Sequence, residues 1–247
     1  MDEQATTRPS GWRAKFGVII PTENTITEPE FNAMKPEGVT VHFTRMPIHF
    51  HPEEDEFKSL LEDLDIRLVE LRACAVNVVA YNCTVGSMAC PADILIGKLK
   101  DASGAKAVST TCSVMEAFEA LGVNRIALAT PYSTQINAHE IEYFSGRGIE
   151  VAASVGMDFD EGPDIGLKFA AVTAGQICDH VRSADRSEAQ AIFISCANFG
   201  SASIVQMLEE ELGKPVITSN IATFWAGLRA AGIEDSISGY GRLLAEH

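Results

Sequence analysis

The chain has 247 residues, 46% of them apolar, and 19 basic against 34 acidic side chains give a net charge of −15. That length buries a large core, as one big domain or two of ordinary size, and the acidic balance argues against nucleic acid as a partner. No apolar run is long and clean enough to span a bilayer, and the polar N-terminal stretch lacks the apolar centre of a signal peptide, so a cytoplasmic protein without membrane contact is expected.

In chain order, residues 1–15 read as a flexible tail. A strand is predicted over 16–20 and an alternating one over 40–45. Pro52 to Cys74 carries Phe57, Leu60, Leu61, Leu64, Ile66, Leu68 and Leu71 at helical spacing, with Glu53, Glu54 and Asp55 near the positive end of the dipole. Strand 76–82, helix 91–101, strand 106–109 and helix 113–121 follow. The second half repeats the alternation, with strand 125–129, helix 134–146, strand 149–153, helix 166–183, strand 190–195, helix 202–212, strand 215–218 and helix 222–231. Strands alternating with helices of this length predict parallel sheets covered on both faces. The fold class is therefore α/β: two similar domains with parallel sheets flanked by helices, related by a pseudo-twofold, with the active site in the cleft between them. Residues 16–122 together with 222–247 are assigned to the first domain and 123–221 to the second.

An internal duplication supports this reading. Val76-Asn-Val-Val-Ala-Tyr-Asn-Cys83-Thr-Val-Gly-Ser87 matches Ala189-Gln-Ala-Ile-Phe-Ile-Ser-Cys196-Ala-Asn-Phe-Gly-Ser201, each an apolar strand opening into a polar, glycine-containing turn. The segments ending at Pro21 and Pro131 form a second pair, 110 residues apart, and the cysteines lie 113 apart. A two-copy period this long means duplicated domains, because solenoid repeats run at about 20–50 residues. Each cysteine falls at a strand's carboxyl end, where α/β sheets place their ligands.

Six cysteines without secretory context read as free thiols. A buried cysteine on an apolar strand is commonly a packing residue, and Cys74, Cys90, Cys112 and Cys178 are read that way. Symmetry and the polar turns that follow set Cys83 and Cys196 apart as catalytic candidates. The spacings contain no Cys-x-x-Cys pair or His-Cys cluster of a zinc site, so neither metal nor cofactor is expected. The histidines show no spacing of a catalytic dyad.

Pro21-Thr-Glu-Asn24-Thr25, His42-Phe-Thr-Arg45-Met46, Tyr81-Asn-Cys83, Thr130-Pro-Tyr132, Ser195-Cys196 and Gly239-Tyr-Gly-Arg-Leu243 together resemble the aspartate/glutamate racemase superfamily. The likeness runs from about Phe16 to Leu244 and is nearest to maleate cis–trans isomerases, with arylmalonate decarboxylases and ectoine-utilisation proteins as relatives. The resemblance implies that Cys83 is a nucleophile and Cys196 an acid/base, and that Asn24 and Tyr132 hydrogen-bond substrate carboxylates. It also implies a homo-oligomer, dimer or tetramer, acting on a small carboxylate. Addition of a thiolate to an alkene makes the double bond single for a moment, which permits rotation without a cofactor. An amino-acid or hydantoin racemase would use the same two thiols to exchange an α-proton. An arylmalonate-type decarboxylase would use the second cysteine alone. Backbone N–H groups at Thr84, Val85, Ala197 and Asn198 suit a thiolate or a carboxylate. The turns Ser109-Thr-Thr111 and Ser219-Asn220 are expected to add donors at the same rim, and Arg45 to hold the first loop. Either cysteine role needs a thiolate near neutral pH, so local donors are expected to lower a thiol pKa of roughly 8.5. At the loop position where the resemblance implies an asparagine, this chain has Gly162, inside the acidic stretch Asp158 to Asp164.

Overall fold

A computed structural model describes residues 8–49, 51–159, 162 and 164–247. Residues 1–7 of the expected tail, and Asp160, Glu161 and Pro163 of the acidic stretch, lie outside the described residues. The first half runs β1 (Ala14–Pro21), α1 (Thr27–Met34), β2 (Val39–Met46), α2 (Lys58–Ala73), β3 (Val78–Tyr81), α3 (Thr84–Met88), α4 (Ala92–Ser103), β4 (Lys106–Ser109) and α5 (Thr110–Ala120). The second runs β5 (Arg125–Thr130), α6 (Thr134–Ser145), β6 (Glu150–Gly156), α7 (Ile165–Ala170), α8 (Ala174–Ala184), β7 (Ala191–Ile194), α9 (Val205–Leu212), β8 (Val216–Thr218), α10 (Ser219–Ala231) and α11 (Arg242–Glu246). The strands make two parallel sheets of identical order, β2-β1-β3-β4 and β6-β5-β7-β8. Both central strands, Val-Val-Ala-Tyr and Ala-Ile-Phe-Ile, are buried along their whole length, as parallel strands covered by helices on both faces must be. In each sheet the order reverses between the first and third strands, and a doubly wound sheet opens its ligand crevice at that point.

Three sequence expectations are corrected by local chemistry. The single helix expected from Pro52 breaks: Pro52–Asp55 forms a 3₁₀ turn, Glu56 and Phe57 take left-handed φ values of 57° and 66°, and the Asp55 carboxylate receives the Ser59 N–H before α2 proceeds. The helix expected over 166–183 divides into α7 and α8, because Thr173 and Gln176 form a reciprocal capping box that starts a new helix. β1 begins at Ala14 rather than Phe16, and Arg13 just before it forms an ion pair with Asp235.

The two halves exchange helices. α10 follows the second sheet, yet Phe224 stacks on Phe16 of β1 at 5.9 Å and meets Phe31 of α1 at a tilt, 4.9 Å away. α5 follows the first sheet, yet Phe118 meets Phe144 of α6 and Phe193 of β7 edge-on, both at 5.8 Å. One continuous apolar core thus contains Phe16, Phe118, Phe193 and Phe224, while a smaller cluster of Leu60, Leu64, Leu68, Leu95 and Leu99 covers the other face of the first sheet. The approach of α10 to β1 depends on Gly227, where a Cβ would stand 2.0 Å from the Phe16 ring. Gly227→Ala is therefore expected to destabilise the fold by about 1–3 kcal/mol through overpacking, seen as a lowered calorimetric Tm. An unchanged Tm would show that the ring moves aside freely.

Candidate active site

Each half delivers its cysteine two residues past the end of its central strand, Cys83 after β3 and Cys196 after β7. Cys83 is the N-cap of α3, and its sulfur takes the place of a capping hydroxyl by accepting the Gly86 N–H at 3.3 Å. Glycine is required there, since a Cβ on residue 86 would lie 2.4 Å from the Tyr81 hydroxyl and 3.1 Å from the Cys83 sulfur. Cys196 accepts the Asn198 N–H at 3.4 Å and is held at φ 106°, a backbone conformation that costs a non-glycine residue energy and collects at functional sites.

The first strands of each sheet bring the remaining loops. Arg45 of β2 donates to the carbonyls of Thr22 and Asn24, holding the first loop as expected from the sequence. Asn24 is fully buried: its amide oxygen caps α1 by accepting from Ile26 and Thr27, and its amide nitrogen donates to Ala197 O at 3.1 Å, across the cleft. The Tyr132 hydroxyl, after β5, hydrogen-bonds the Cys196 sulfur, and burial raises its own pKa well above that of a free phenol.

The expectation of thiols acidified by their surroundings is reversed. Burial pushes Cys83 up to about 11, outweighing the Gly86 N–H and the Tyr81 hydroxyl that pull it down, while the charge of Glu23 adds to the rise. Burial pushes Cys196 up to about 12 against the Tyr132 hydroxyl and the Asn198 N–H. Desolvation of an anion wins over two hydrogen bonds in a site this enclosed. Below its pKa, a thiol's anionic fraction grows tenfold per pH unit, so alkylation of Cys83 by iodoacetamide is expected to accelerate about tenfold per unit between pH 7 and 9. A plateau over that range, read by peptide mapping, would mean a preformed thiolate.

Beneath the two loops runs a buried polar network that crosses the pseudo-twofold. The Ser219 hydroxyl accepts from Thr84 Oγ1 at 2.9 Å and from Cys196 N at 3.1 Å, joining the residue after one cysteine to the backbone of the other. Asn220 accepts from Asn82 at 2.8 Å and donates to Ala197 O at 3.0 Å and to Glu30 at 2.6 Å. Glu30 of α1 also receives the Ser201 and Ala202 N–H groups, and burial pushes its pKa up to about 7. Ser219, Asn220 and Thr111, expected as donors at the rim, are instead fully buried braces, and Ser109 is buried with a hydroxyl that has no partner among the described residues. Under Cys196, Glu140 of α6 accepts the Ser195 hydroxyl at 2.6 Å, its second oxygen has no partner among the described residues, and burial pushes it up to about 8.

A cavity of about 570 Å³ opens between the two halves. Cys83, Cys196, Asn24, Tyr132, Thr84, Val85, Ala197 and Asn198, all proposed from sequence, line it together. Sequence reasoning missed Glu23, the apolar wall of Ile48, Ile136, Phe159, Ile165 and Phe169, and the imidazoles of His51 and His139 at the mouth. Glu23 sits inside the Thr-Glu-Asn-Thr turn, and its position next to Asn24 is the signal that was available. Gly162 lines the cavity as well.

A duplicated, doubly wound α/β fold thus sets two cysteines, one from each half, on one cleft at the switch points of both sheets. A family model described as arylmalonate decarboxylase matches residues 16–244, and the chain belongs to that family. The likeness to maleate isomerases anticipated from the motifs is borne out. The maleate isomerase of Geobacillus stearothermophilus is 26% identical over 94% of this chain and 97% of its own length. The structure of a maleate isomerase variant from Pseudomonas putida S16 with maleate is 25% identical, covers 94% of this chain and 97% of that one, and superposes with a TM-score of 0.84. The same fold, with TM-score 0.84 and 23% identity over 95% of this chain and 99% of that one, occurs in a cysteine-to-serine variant of the Nocardia farcinica maleate cis–trans isomerase that carries a covalently bound succinylcysteine intermediate. Among the described residues no helix is long and apolar enough to cross a membrane.

Proposed function

We propose that the protein is a cofactor-independent cis–trans isomerase of maleate or a related small carboxylate, working through a cysteine adduct. The observation that carries this reading is the pair of buried thiols, one from each half, that opens on a single cavity. In the proposed reaction the Cys83 thiolate, its proton lost to solvent, forms a C–S bond to one alkene carbon. Cys196 supplies a proton to the other carbon, giving an S-succinyl-type adduct with a single central bond. After rotation, the Cys196 thiolate takes the carbon-bound proton back, the double bond re-forms as trans, and the C–S bond breaks to regenerate the Cys83 thiolate. The thiol's high intrinsic nucleophilicity and the Gly86 N–H and Tyr81 hydroxyl aimed at Cys83 support its role as nucleophile. The Tyr132 hydroxyl and the neutral environment of Cys196 support its role as proton carrier. Asn24 and the N–H groups of Thr84 and Val85, which the first turn of a helix leaves without intrahelical partners, are proposed to bind a carboxylate. Action in the cytoplasm, expected from the composition, and a homo-oligomer, expected from the family likeness, belong to the same proposal.

Proton NMR of the purified chain with maleate, without added cofactor, tests the reading. Growth of the fumarate singlet at the expense of maleate is expected. Release of carbon dioxide from an arylmalonate without any alkene isomerisation would replace it by decarboxylation.

A further inference from the structure

We propose that the preferred substrate carries a single negative charge, a cis-alkenoic acid whose other end is a neutral hydrogen-bond donor such as a primary amide, and that Glu23 selects it. The inference rests on the isomerase reading above and names its substrate class. Glu23 and Gly166 both line the cavity, and the Glu23 side chain lies flat over Gly166, where a Cβ would meet Glu23 Cγ at 2.1 Å and Oε1 at 3.1 Å. Asn198 fixes the pair from below, donating to Gly166 O at 2.7 Å and to Glu23 O at 3.4 Å. Among the described residues no protein donor or cation engages the Glu23 carboxylate, and no lysine or arginine lines the cavity. The basic groups on the wall are two imidazoles at the exposed mouth, and His51 already stands 3.4 Å from the Glu53 carboxylate.

A dicarboxylate in this cavity meets an uncompensated carboxylate within a wall of Val85, Ile136, Ile165 and Phe169. Like charges repel more strongly there than in water. A primary amide is close in shape to a carboxylate but uncharged, and it offers two N–H donors to carboxylate oxygens that no protein donor among the described residues engages. Sites built to pair a polar substrate group discriminate strongly against the analogue that lacks it, because their own polar atoms are then stranded. The remaining carboxylate is left to the neutral donors around Asn24 and Tyr132, which suit a single charge. The reaction is unchanged: the same C–S bond forms and breaks and the same proton is lent and returned.

The test compares maleamate, the half-amide of maleic acid, with maleate by proton NMR on the full chain and on Glu23→Gln. For the native protein kcat/KM is expected to favour maleamate by at least about tenfold, and Glu23→Gln to shift that ratio toward maleate by about 10–100-fold, as removal of a like-charge clash does. The Gln side chain keeps size and hydrogen bonding, so a change confined to the ratio reports charge. A preference of the native protein for maleate, or a ratio that Glu23→Gln leaves in place, overturns the proposal while the isomerase reading stands. Turnover of neither compound by either protein ends both.

Discussion

Cys83→Ser is expected to abolish isomerisation, with kcat/KM falling by at least about 10³-fold. An alcohol ionises far less readily than a thiol, and the burial that already pushes Cys83 up to about 11 would penalise an alkoxide further. The fold is expected to survive. Cys83 caps α3 by accepting the Gly86 N–H, and serine is a better N-cap than cysteine, so the local hydrogen bond is kept or shortened. Unchanged calorimetry with lost turnover therefore separates chemistry from stability. Full activity in this variant would sink the proposed mechanism.

Cys196→Ser is expected to slow turnover by about 10²–10⁴-fold, the range for loss of a positioned acid/base, and to leave covalent adduct on Cys83. Addition to the alkene still proceeds, with solvent supplying the proton to carbon. Expulsion then lacks the thiolate that reclaims it, so the slow step moves after the adduct. Serine keeps the Cβ, so the backbone at φ 106° carries the same strain and the loop keeps its bond to Ser219. Intact mass spectrometry should show the protein heavier by one substrate molecule, with the label mapped to Cys83. A label found on Cys196 in the converse variant would exchange the two roles. Cys74→Ser, on an exposed thiol after α2, should be kinetically silent.

The alternation of strands and helices was legible because each central strand is a bare apolar run bounded by polar turns, and the duplication made the two cysteines stand out as a pair. Those features depend on local pattern, and the structure keeps them. What escaped depends on packing direction. Ser219 and Asn220 look like rim donors when read along the chain, but α10 crosses to the first half and carries its N-terminus into the interior, where both residues brace the loops. The sense of the thiol shifts was hidden for the same reason: donors near Cys83 and Cys196 can be guessed from glycines and tyrosines, whereas the degree of desolvation that outweighs them is a property of the closed cleft. α1 was missed because Thr27-Glu-Pro-Glu-Phe-Asn-Ala-Met34 has few apolar residues; Asn24 starts it by capping two N–H groups.

The exchange of α5 and α10 has a mechanical consequence. Two lobes joined by a single strap can swing like jaws, but here each lobe wears the other's last helix, and Phe118 and Phe224 are set in the opposite side's aromatic cluster. Widening the cleft would require pulling both rings out of the core, so the distance between the two thiols is a fixed dimension, set by interlocked scaffolding. Heating should melt the chain in one calorimetric peak, and neither lobe cut free should hold its shape. Any motion that admits or releases a ligand is then left to the short α7 segment, whose Ile165, Gly166 and Phe169 line the cavity without carrying the framework.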